Sequence, residues 1–187
     1  RKDKPHVPIS SRALAQSISG GLKRVITMDL HAPQIQGAYP QNVPVDNLYS
    51  FPTVVKHLVE NHPESLEKLV IVSPDAGGAH RGKAFMGKLE KHTEGQGHRY
   101  SFAMIDKTRR APGAVEGMTL IGKVTGKDVL VVDDIIDSGR TLVSAGKLLR
   151  QMGAKKLMCY GTHGLFTLGT KKVRETYDVV ITSNSHK

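Results

Sequence analysis

Short apolar runs alternate with longer amphipathic segments along most of the chain. The runs have the composition of strands buried on both faces, and they lie at 24–30, 68–74, 100–106, 129–134, 157–163 and 178–184. Apolar residues with helical spacing occur at 10–18, 51–62, 77–92, 139–154 and, most weakly, 168–177. This alternation predicts an α/β fold built from right-handed βαβ units, with a mainly parallel sheet flanked by helices.

A loop rich in Pro and Asn, at 40–52, separates a short first segment from the longer alternating region. This pattern predicts a domain boundary near 50–52, which gives segments 1–50 and 51–187. The chain opens with RKDK, has no initiator Met, and closes on ITSNSHK directly after an apolar run. We therefore expect the sequence to be an internal portion of a larger protein.

Composition narrows the class of protein. The net charge is +10, with 27 basic residues against 17 acidic ones, but the basic residues are spread along the chain. An anionic partner is thus favoured, and phosphorylated small molecules fit better than nucleic acid, because there is no Trp and few other aromatic residues for base stacking. No apolar run approaches the ~18–20 residues of a membrane span. A single cysteine, Cys159, excludes an internal disulfide framework and predicts a reducing, cytoplasmic location.

The segment VLVVDDIIDSGRT, at 129–141, combines a buried strand, three acids and a turn before a helix. Ser138, Gly139 and Thr141 are expected to present backbone and hydroxyl donors at a helix N-terminus, where a phosphate group is favoured. Adjacent carboxylates would repel that phosphate, unless they accept hydrogen bonds from sugar hydroxyls directly or through Mg²⁺. The segment therefore predicts a phosphorylated sugar as ligand. The alternative is an ordinary strand–turn–helix in which Asp and Ser serve only as caps.

This segment also resembles the phosphoribosyl pyrophosphate motif of type I phosphoribosyltransferases. That superfamily includes salvage transferases, the synthetase and some regulators, so the motif alone does not choose among them. Arg140 departs from the motif, in which a small residue is usual.

Three further segments are similar to ribose-phosphate diphosphokinases: MDLHAPQIQG (28–37), VPVDNLYS (43–50) and VSPDAGGAHR (72–81). The resemblance covers nearly the whole chain. It implies a type I phosphoribosyltransferase-like fold with two similar domains in the full protein. Residues 1–50 would end a truncated N-terminal domain, and 51–187 would form a C-terminal domain that lacks its last segment. The implied reaction transfers the β,γ-diphosphoryl group of ATP to the 1-hydroxyl of ribose 5-phosphate and releases AMP, in a homo-oligomer.

The resemblance also implies a set of site residues, with Mg²⁺ as the cofactor. The catalytic residues would be Lys107 and Arg109, in the predicted loop DKTRRAPG (106–113), together with His31. Ribose 5-phosphate would be bound by Asp75, Asp133, Asp134, Asp137, Ser138, Gly139, Arg140 and Thr141. ATP would be bound by Asp3, His31 and Asp46, and the metal by Asp29, His31, Asp46 and Asp75. Mg²⁺ and the three catalytic residues would neutralise charge around the attacked phosphorus.

Several departures keep a second hypothesis open. An acid that the family carries in the 40–42 loop is replaced by Pro40, Gln41 or Asn42, the Arg and Gln expected just before Asp3 are missing, and His80 stands where Lys is common. The altered 40–42 loop and Arg140 motivate the alternative to an enzyme, which is a non-catalytic regulatory subunit of the same fold. A salvage transferase is disfavoured by DLHAPQIQG and by the lack of an evident base-binding hood. A P-loop kinase is disfavoured because the chain has no Walker sequence.

Overall fold

The computed structural model describes residues 9–108 and 117–186. The chain divides into two compact units, Arg1–Ser50 and Phe51–Lys187. No helix in the described residues has the length and apolar character that crossing a membrane requires.

The first unit contains helix α1 (Ser10–Ile18) and two parallel strands, β1 (Val25–Met28) and β2 (Val45–Leu48), joined through a 3₁₀ segment at Pro33–Ala38. Strand β2 lies inside the segment that the sequence interpretation assigned wholly to a loop, and that assignment was wrong. The strand is four residues long, and its residues alternate between half-buried and exposed. It therefore lacks the continuous apolar run that marked the other strands.

In the second unit, six of the described strands form one sheet in the order β5-β4-β3-β6-β7-β8. They are β3 (Val70–Ser73), β4 (Ser101–Thr108), β5 (Gly117–Ile121), β6 (Val129–Ile136), β7 (Leu157–Gly164) and β8 (Val179–Thr182). Every pairing is parallel except that of β4 with β5. The predicted α/β class with a mainly parallel sheet is confirmed. Strand β5 was missed because its residues alternate between exposed and half-buried at the edge of the sheet.

Helices cover both faces of this sheet. Helices α2 (Phe51–Asn61) and α3 (Ala79–His92) pack on one apolar cluster, whereas α4 (Arg140–Gln151) and α5 (Lys171–Thr176) pack on another. Neighbouring residues of β6 divide between the two, because Val129 and Val131 join the α4 cluster and Leu130 joins the α2–α3 cluster. Alternate side chains of a strand point to opposite faces, so both faces of the sheet are buried.

The strand order creates a topological switch point in the middle of the sheet. Strand β3 lies between β4 and β6, so the chain continues from β3 to one side and later returns to the other. In sheets of this kind, ligands bind at the carboxyl ends of the strands beside such a point. Asp75 lies just after the carboxyl end of β3, and Lys107 lies in the last residues of β4. The 137–141 turn follows β6 directly.

Candidate functional site

The acidic pair of the 129–141 segment lies within strand β6 and not at its tip, as the sequence interpretation had placed it. The strand continues to Ile136 because β7 continues beside it, with Asp133 opposite Gly161 and Ile135 opposite His163. The Asp134 N–H donates to Oδ1 of Asp133 at 2.9 Å, so the Asp133 carboxylate lies close to the neighbouring residue. Asp134 is buried, whereas Asp133 is partly exposed. The two neighbouring carboxylates therefore have different surroundings.

Arg81 of α3 forms ion pairs with both acids. Its guanidinium lies 3.1 Å from Oδ2 of Asp134 and 3.6 Å from Oδ1 of Asp133, and its side chain is only 11% exposed. Buried charges in proteins are usually paired in this way, since an unpaired one is costly. The sequence interpretation assigned no role to Arg81. Its only signal was its position at the end of the VSPDAGGAHR segment.

The environment of Asp133 perturbs its titration. Burial raises the pKa of Asp133 from its usual 3.8 to about 7, and a hydrogen bond with Asp134 and the charge of that carboxylate act in the same direction. The hydrogen bond from the Asp134 N–H and the charge of Arg81 oppose the rise in pKa without cancelling it. Asp133 is therefore a carboxyl group that changes its charge near neutral pH.

The turn after β6 combines a glycine in the left-handed region with the start of a helix. Gly139 lies in the left-handed region with φ of 72°, and a Cβ there would lie 2.6 Å from Cγ2 of Val173. The position thus requires glycine. Helix α4 begins at the next residue, Arg140, whose N–H donates to Oγ of Ser138 at 3.5 Å. The first N–H groups of a helix have no carbonyl partner within the helix. Such groups, together with the helix dipole, favour an anion.

The loop after β7 holds this turn in place. The hydroxyl of Thr167 donates to Oδ1 of Asp137 at 2.7 Å, and the Thr167 N–H donates to the Asp137 carbonyl at 3.1 Å. The N–H groups of Leu165 and Phe166 donate to the carbonyl of Ile136. Sequence reasoning did not identify this support, because the loop belongs to a later βα unit.

Asp75 closes the turn between β3 and α3. Its Oδ1 accepts a hydrogen bond from the Gly78 N–H at 2.8 Å, and the Ser73 hydroxyl donates to the Asp75 carbonyl at 2.6 Å. A Cβ on Gly78 would lie 2.9 Å from Oγ of Ser73, so glycine permits this close approach. Among the described residues, the second carboxylate oxygen of Asp75 makes no hydrogen bond.

Lys107 contacts the turn after β6. It lies in strand β4, opposite Met118 of β5, so the prediction that 107–108 belong to a loop was wrong. Its Nζ donates to Oγ1 of Thr141 at 3.3 Å. The proposed catalytic lysine and the proposed phosphate turn are thereby adjacent. Arg109 and the rest of the predicted loop lie outside the described residues.

The candidate ATP and metal residues of the first unit differ in their burial and in their hydrogen-bond or ion-pair partners. Asp29 is buried, and its Oδ2 accepts hydrogen bonds from the hydroxyl of Ser50 and, at 3.2 Å, from the Ser50 N–H. Asp46 is exposed and pairs with Arg24 at 3.3 Å, and His31 is exposed. Asp3 lies outside the described residues.

The candidate metal residues could each supply one or two ligands to Mg²⁺, but they do not form a complete ligand set. Within 9–108 and 117–186, no group of three or more His, Cys, Asp or Glu side chains is arranged to hold a metal ion. Magnesium in nucleotide sites usually keeps several waters, and it takes one or two carboxylates together with substrate phosphates. The second oxygen of Asp75 meets that requirement. The Oδ2 of Asp29 meets it less well, because two donors of Ser50 already bind it.

Residues 44–186 match the family described as the phosphoribosyl transferase domain, and the chain belongs to this family. Among curated proteins, the chain is similar to the ribose-phosphate pyrophosphokinase of Rhizobium meliloti, with 41% identity over 90% of this chain and 51% of that protein. It is also similar to ribose-phosphate pyrophosphokinase 2 of Schizosaccharomyces pombe, with 40% identity over 99% of this chain and 55% of that protein. The chain therefore spans about half the length of these relatives.

The fold of this chain is also similar to that of a solved structure. The phosphoribosylpyrophosphate synthetase of Mycobacterium smegmatis superposes with a TM-score of 0.84 at 30% identity, covering 98% of this chain and 56% of that one. The resemblance noted from the sequence motifs is thus confirmed at the level of family and fold.

Proposed function

We propose that this chain is part of a ribose-phosphate diphosphokinase. The proposed reaction transfers the β,γ-diphosphoryl group of ATP to the 1-hydroxyl of ribose 5-phosphate and releases AMP. One observation carries the proposal: Lys107 contacts Thr141 of the phosphate-type turn at the switch point of the sheet. The similarity to ribose-phosphate pyrophosphokinases along 90–99% of the chain supports the same reaction.

The sugar phosphate would bind at the end of β6. Backbone N–H groups and hydroxyls of Ser138, Gly139 and Thr141 would hold the 5-phosphate, with Arg140 beside them. Asp133 and Asp137 would accept hydrogen bonds from the ribose hydroxyls. Asp134 is assigned to the same set, and its pairing with Arg81 would fix the position of the strand beneath the sugar.

Transfer needs the 1-hydroxyl oxygen to attack the β-phosphorus while the bond from that phosphorus to the α–β bridging oxygen breaks. AMP leaves with the bridging oxygen, and the hydroxyl proton is released. Lys107 is positioned beside Thr141 to stabilise negative charge on the transferring group, and Arg109 is assigned the same role. Most of the rate enhancement would come from positioning and electrostatics, since phosphoryl transfer asks little covalent chemistry of a protein.

Mg²⁺ would be the cofactor, and it would supply charge neutralisation on the phosphates. Asp75 would contribute one oxygen ligand in the second unit. In the first unit, Asp29, His31 and Asp46 are assigned to the metal, and Asp3, His31 and Asp46 are assigned to ATP. The proposal also includes a cytoplasmic location, which the single cysteine favours, and a homo-oligomeric assembly, which the resemblance implies.

The test is an assay of the full-length protein with ATP, Mg²⁺ and ribose 5-phosphate, in which AMP and the 1-pyrophosphate product are quantified. Equal amounts of the two products are expected. An intact protein that shows no turnover alone, but that changes the activity of a partner synthetase, would overturn the proposal in favour of a non-catalytic regulatory subunit.

A further inference from the structure

A groove of about 890 Å³ lies between helices α4 and α5 in the second unit. We call it the α4–α5 groove, and define it by Arg140, Val143 and Lys147 of α4 together with Leu168, Lys172 and Thr176. Its volume lies within the range of small-molecule sites, about 300–1,000 Å³. Lys147 and Lys172 belong to no motif discussed above.

The groove carries an excess of positive charge that the protein does not neutralise. Arg140, Lys147 and Lys172 are exposed, and within the part of the chain that the structure describes they form no ion pair. The other cation at the groove, Arg150, is neutralised, because it lies 2.6 Å from Asp178. The one acid, Glu175, lies 3.9 Å from Lys171. Three uncompensated cations along one groove favour an anion.

The groove is formed by tightly packed elements. A Cβ on Gly146 would lie 2.4 Å from Cγ2 of Thr176 and 3.1 Å from the ring of Tyr177, so α4 and α5 approach each other closely there. The Tyr177 hydroxyl donates to the carbonyl of Leu142 at 2.8 Å and joins the two helices. The walls therefore form without a ligand, and a ligand would pay little ordering cost.

The positions of the cations indicate what kind of anion fits. Arg140 and Lys147 are seven residues apart on one helix, which is about 10.5 Å along its axis, and Lys172 faces them from α5. Charge distributed over this length matches several phosphate groups better than one. Val143 and the exposed Leu168 add apolar contact surface for the remainder of a ligand.

We propose that the α4–α5 groove is a second anion site, which binds a small molecule carrying several phosphate groups. It is also lined by Ser138 and Arg140 of the 138–141 turn, which are assigned to ribose 5-phosphate, but its lysines lie outside that set. The proposal depends on charge and shape and not on the reaction, so it survives or fails independently of the proposed function.

The probe is inorganic tripolyphosphate, titrated calorimetrically into the full chain with ribose 5-phosphate present at saturation. We expect a binding event that weakens with added salt and that loses at least about tenfold in affinity in the double variant K147E/K172E, since each tenfold corresponds to 1.4 kcal/mol. The conservative variant K147R/K172R should bind tripolyphosphate with the affinity of the unsubstituted protein. Inorganic phosphate should bind more weakly than tripolyphosphate.

The matched control is K88E/K91E, which makes the same change of net charge on two exposed lysines of α3, on the opposite face of the sheet. It should bind tripolyphosphate as the unsubstituted protein does. Equal losses in both double variants would show only general electrostatics, and no loss in K147E/K172E would show binding elsewhere. Either result overturns the proposal, as does equal affinity for phosphate and tripolyphosphate. A separate titration with ribose 5-phosphate reports the substrate site.

Discussion

The guanidinium of Arg81 lies 3.1 Å from the carboxylate of Asp134, and the two side chains are only 11% and 4% exposed. This pair joins helix α3 to strand β6 near the carboxyl ends of the strands, where the candidate site lies. A buried pair contributes little net stability compared with apolar residues of similar size, but the loss of one partner leaves a charge without compensation. Arg81 therefore fixes the position of β6 at a point where the sequence alone shows no partner for Asp134.

Replacement of Arg81 by Met should strongly destabilise the protein. The substitution keeps the side-chain length but removes the cation that pairs with the buried Asp134, so the free energy of unfolding should fall by about 3–5 kcal/mol. Urea denaturation measures this loss. Lys88→Met, at an exposed position of the same helix, is the control and should stay within about 0.5 kcal/mol of the unsubstituted protein.

The double variant Arg81→Met/Asp134→Leu provides a second check, because it replaces both charges by apolar side chains. It should recover most of the lost stability. A loss below about 1 kcal/mol in the single variant, or a double variant no more stable than the single one, would contradict the account of a buried pair.

The strands of the central sheet could be predicted because their residues are buried on both faces. Val70, Ile71, Leu130 and Val131 are fully buried, and such positions produce continuous apolar runs. Strands β2 and β5 could not be predicted, because each has an exposed side and a short, alternating pattern. The end of β6 was misplaced for a related reason: Asp133 and Asp134 are polar, yet pairing with β7 keeps them in the strand.

In the candidate site, too, the features that are local in sequence could be predicted, and the contacts between distant elements could not. The 137–141 turn could be predicted because its glycine, its hydroxyls and the following helix are contiguous in the sequence. Its contacts with Lys107 and Thr167 depend on how β4 and the β7–α5 loop are placed around it. Sequence patterns record spacing within an element, and they do not record which side chains of different elements meet.

The stability of the protein should depend on pH through Asp133. The folded carboxyl titrates near pH 7, and its usual pKa is 3.8. Between these values the folded state holds a proton that the unfolded state has released. The free energy of unfolding contributed by this group should therefore fall as pH rises from about 4 to about 7, and it should be constant above and below that window.

Urea denaturation at a series of pH values tests this expectation, with Asp133→Asn as the comparison. The variant has no carboxyl at position 133, so the fall in stability between about pH 4 and pH 7 should be smaller than in the unsubstituted protein. Carboxyl ¹³C chemical shifts give the pKa directly. Curves of equal slope in the two proteins would contradict the role of Asp133.

Gly139→Ala should destabilise the turn by two separable effects. Alanine is disfavoured at φ of 72°, and its Cβ would lie 2.6 Å from Cγ2 of Val173, so we expect a loss of about 1–3 kcal/mol in the free energy of unfolding. Ribose 5-phosphate should also bind more weakly, because the backbone N–H groups of the turn would shift. Thermal unfolding and a direct titration measure the two losses.

Gly87→Ala is the matched control, since Gly87 lies within α3 and a Cβ there would have no heavy atom within 4 Å. This substitution should stabilise the protein by about 0.5–1 kcal/mol. Adding Val173→Ala to Gly139→Ala should relieve the steric effect but not the backbone effect, so only part of the affinity for ribose 5-phosphate should return. Full affinity in Gly139→Ala alone would show that the turn is not the phosphate site.

Lys107→Ala should lower turnover by about 10²–10³-fold, the loss typical when one donor to a transition state is removed. The dissociation constant for ribose 5-phosphate should change little, because the contact of Lys107 with Thr141 is long, at 3.3 Å. Lys127→Ala is the matched control, as its Nζ donates to Oγ of Ser101 at 3.4 Å near the amino ends of β4 and β6. It should leave turnover unchanged. If Lys107→Ala lost ribose 5-phosphate binding and turnover to the same extent, Lys107 would be a substrate-binding residue and the transfer step would need another cation.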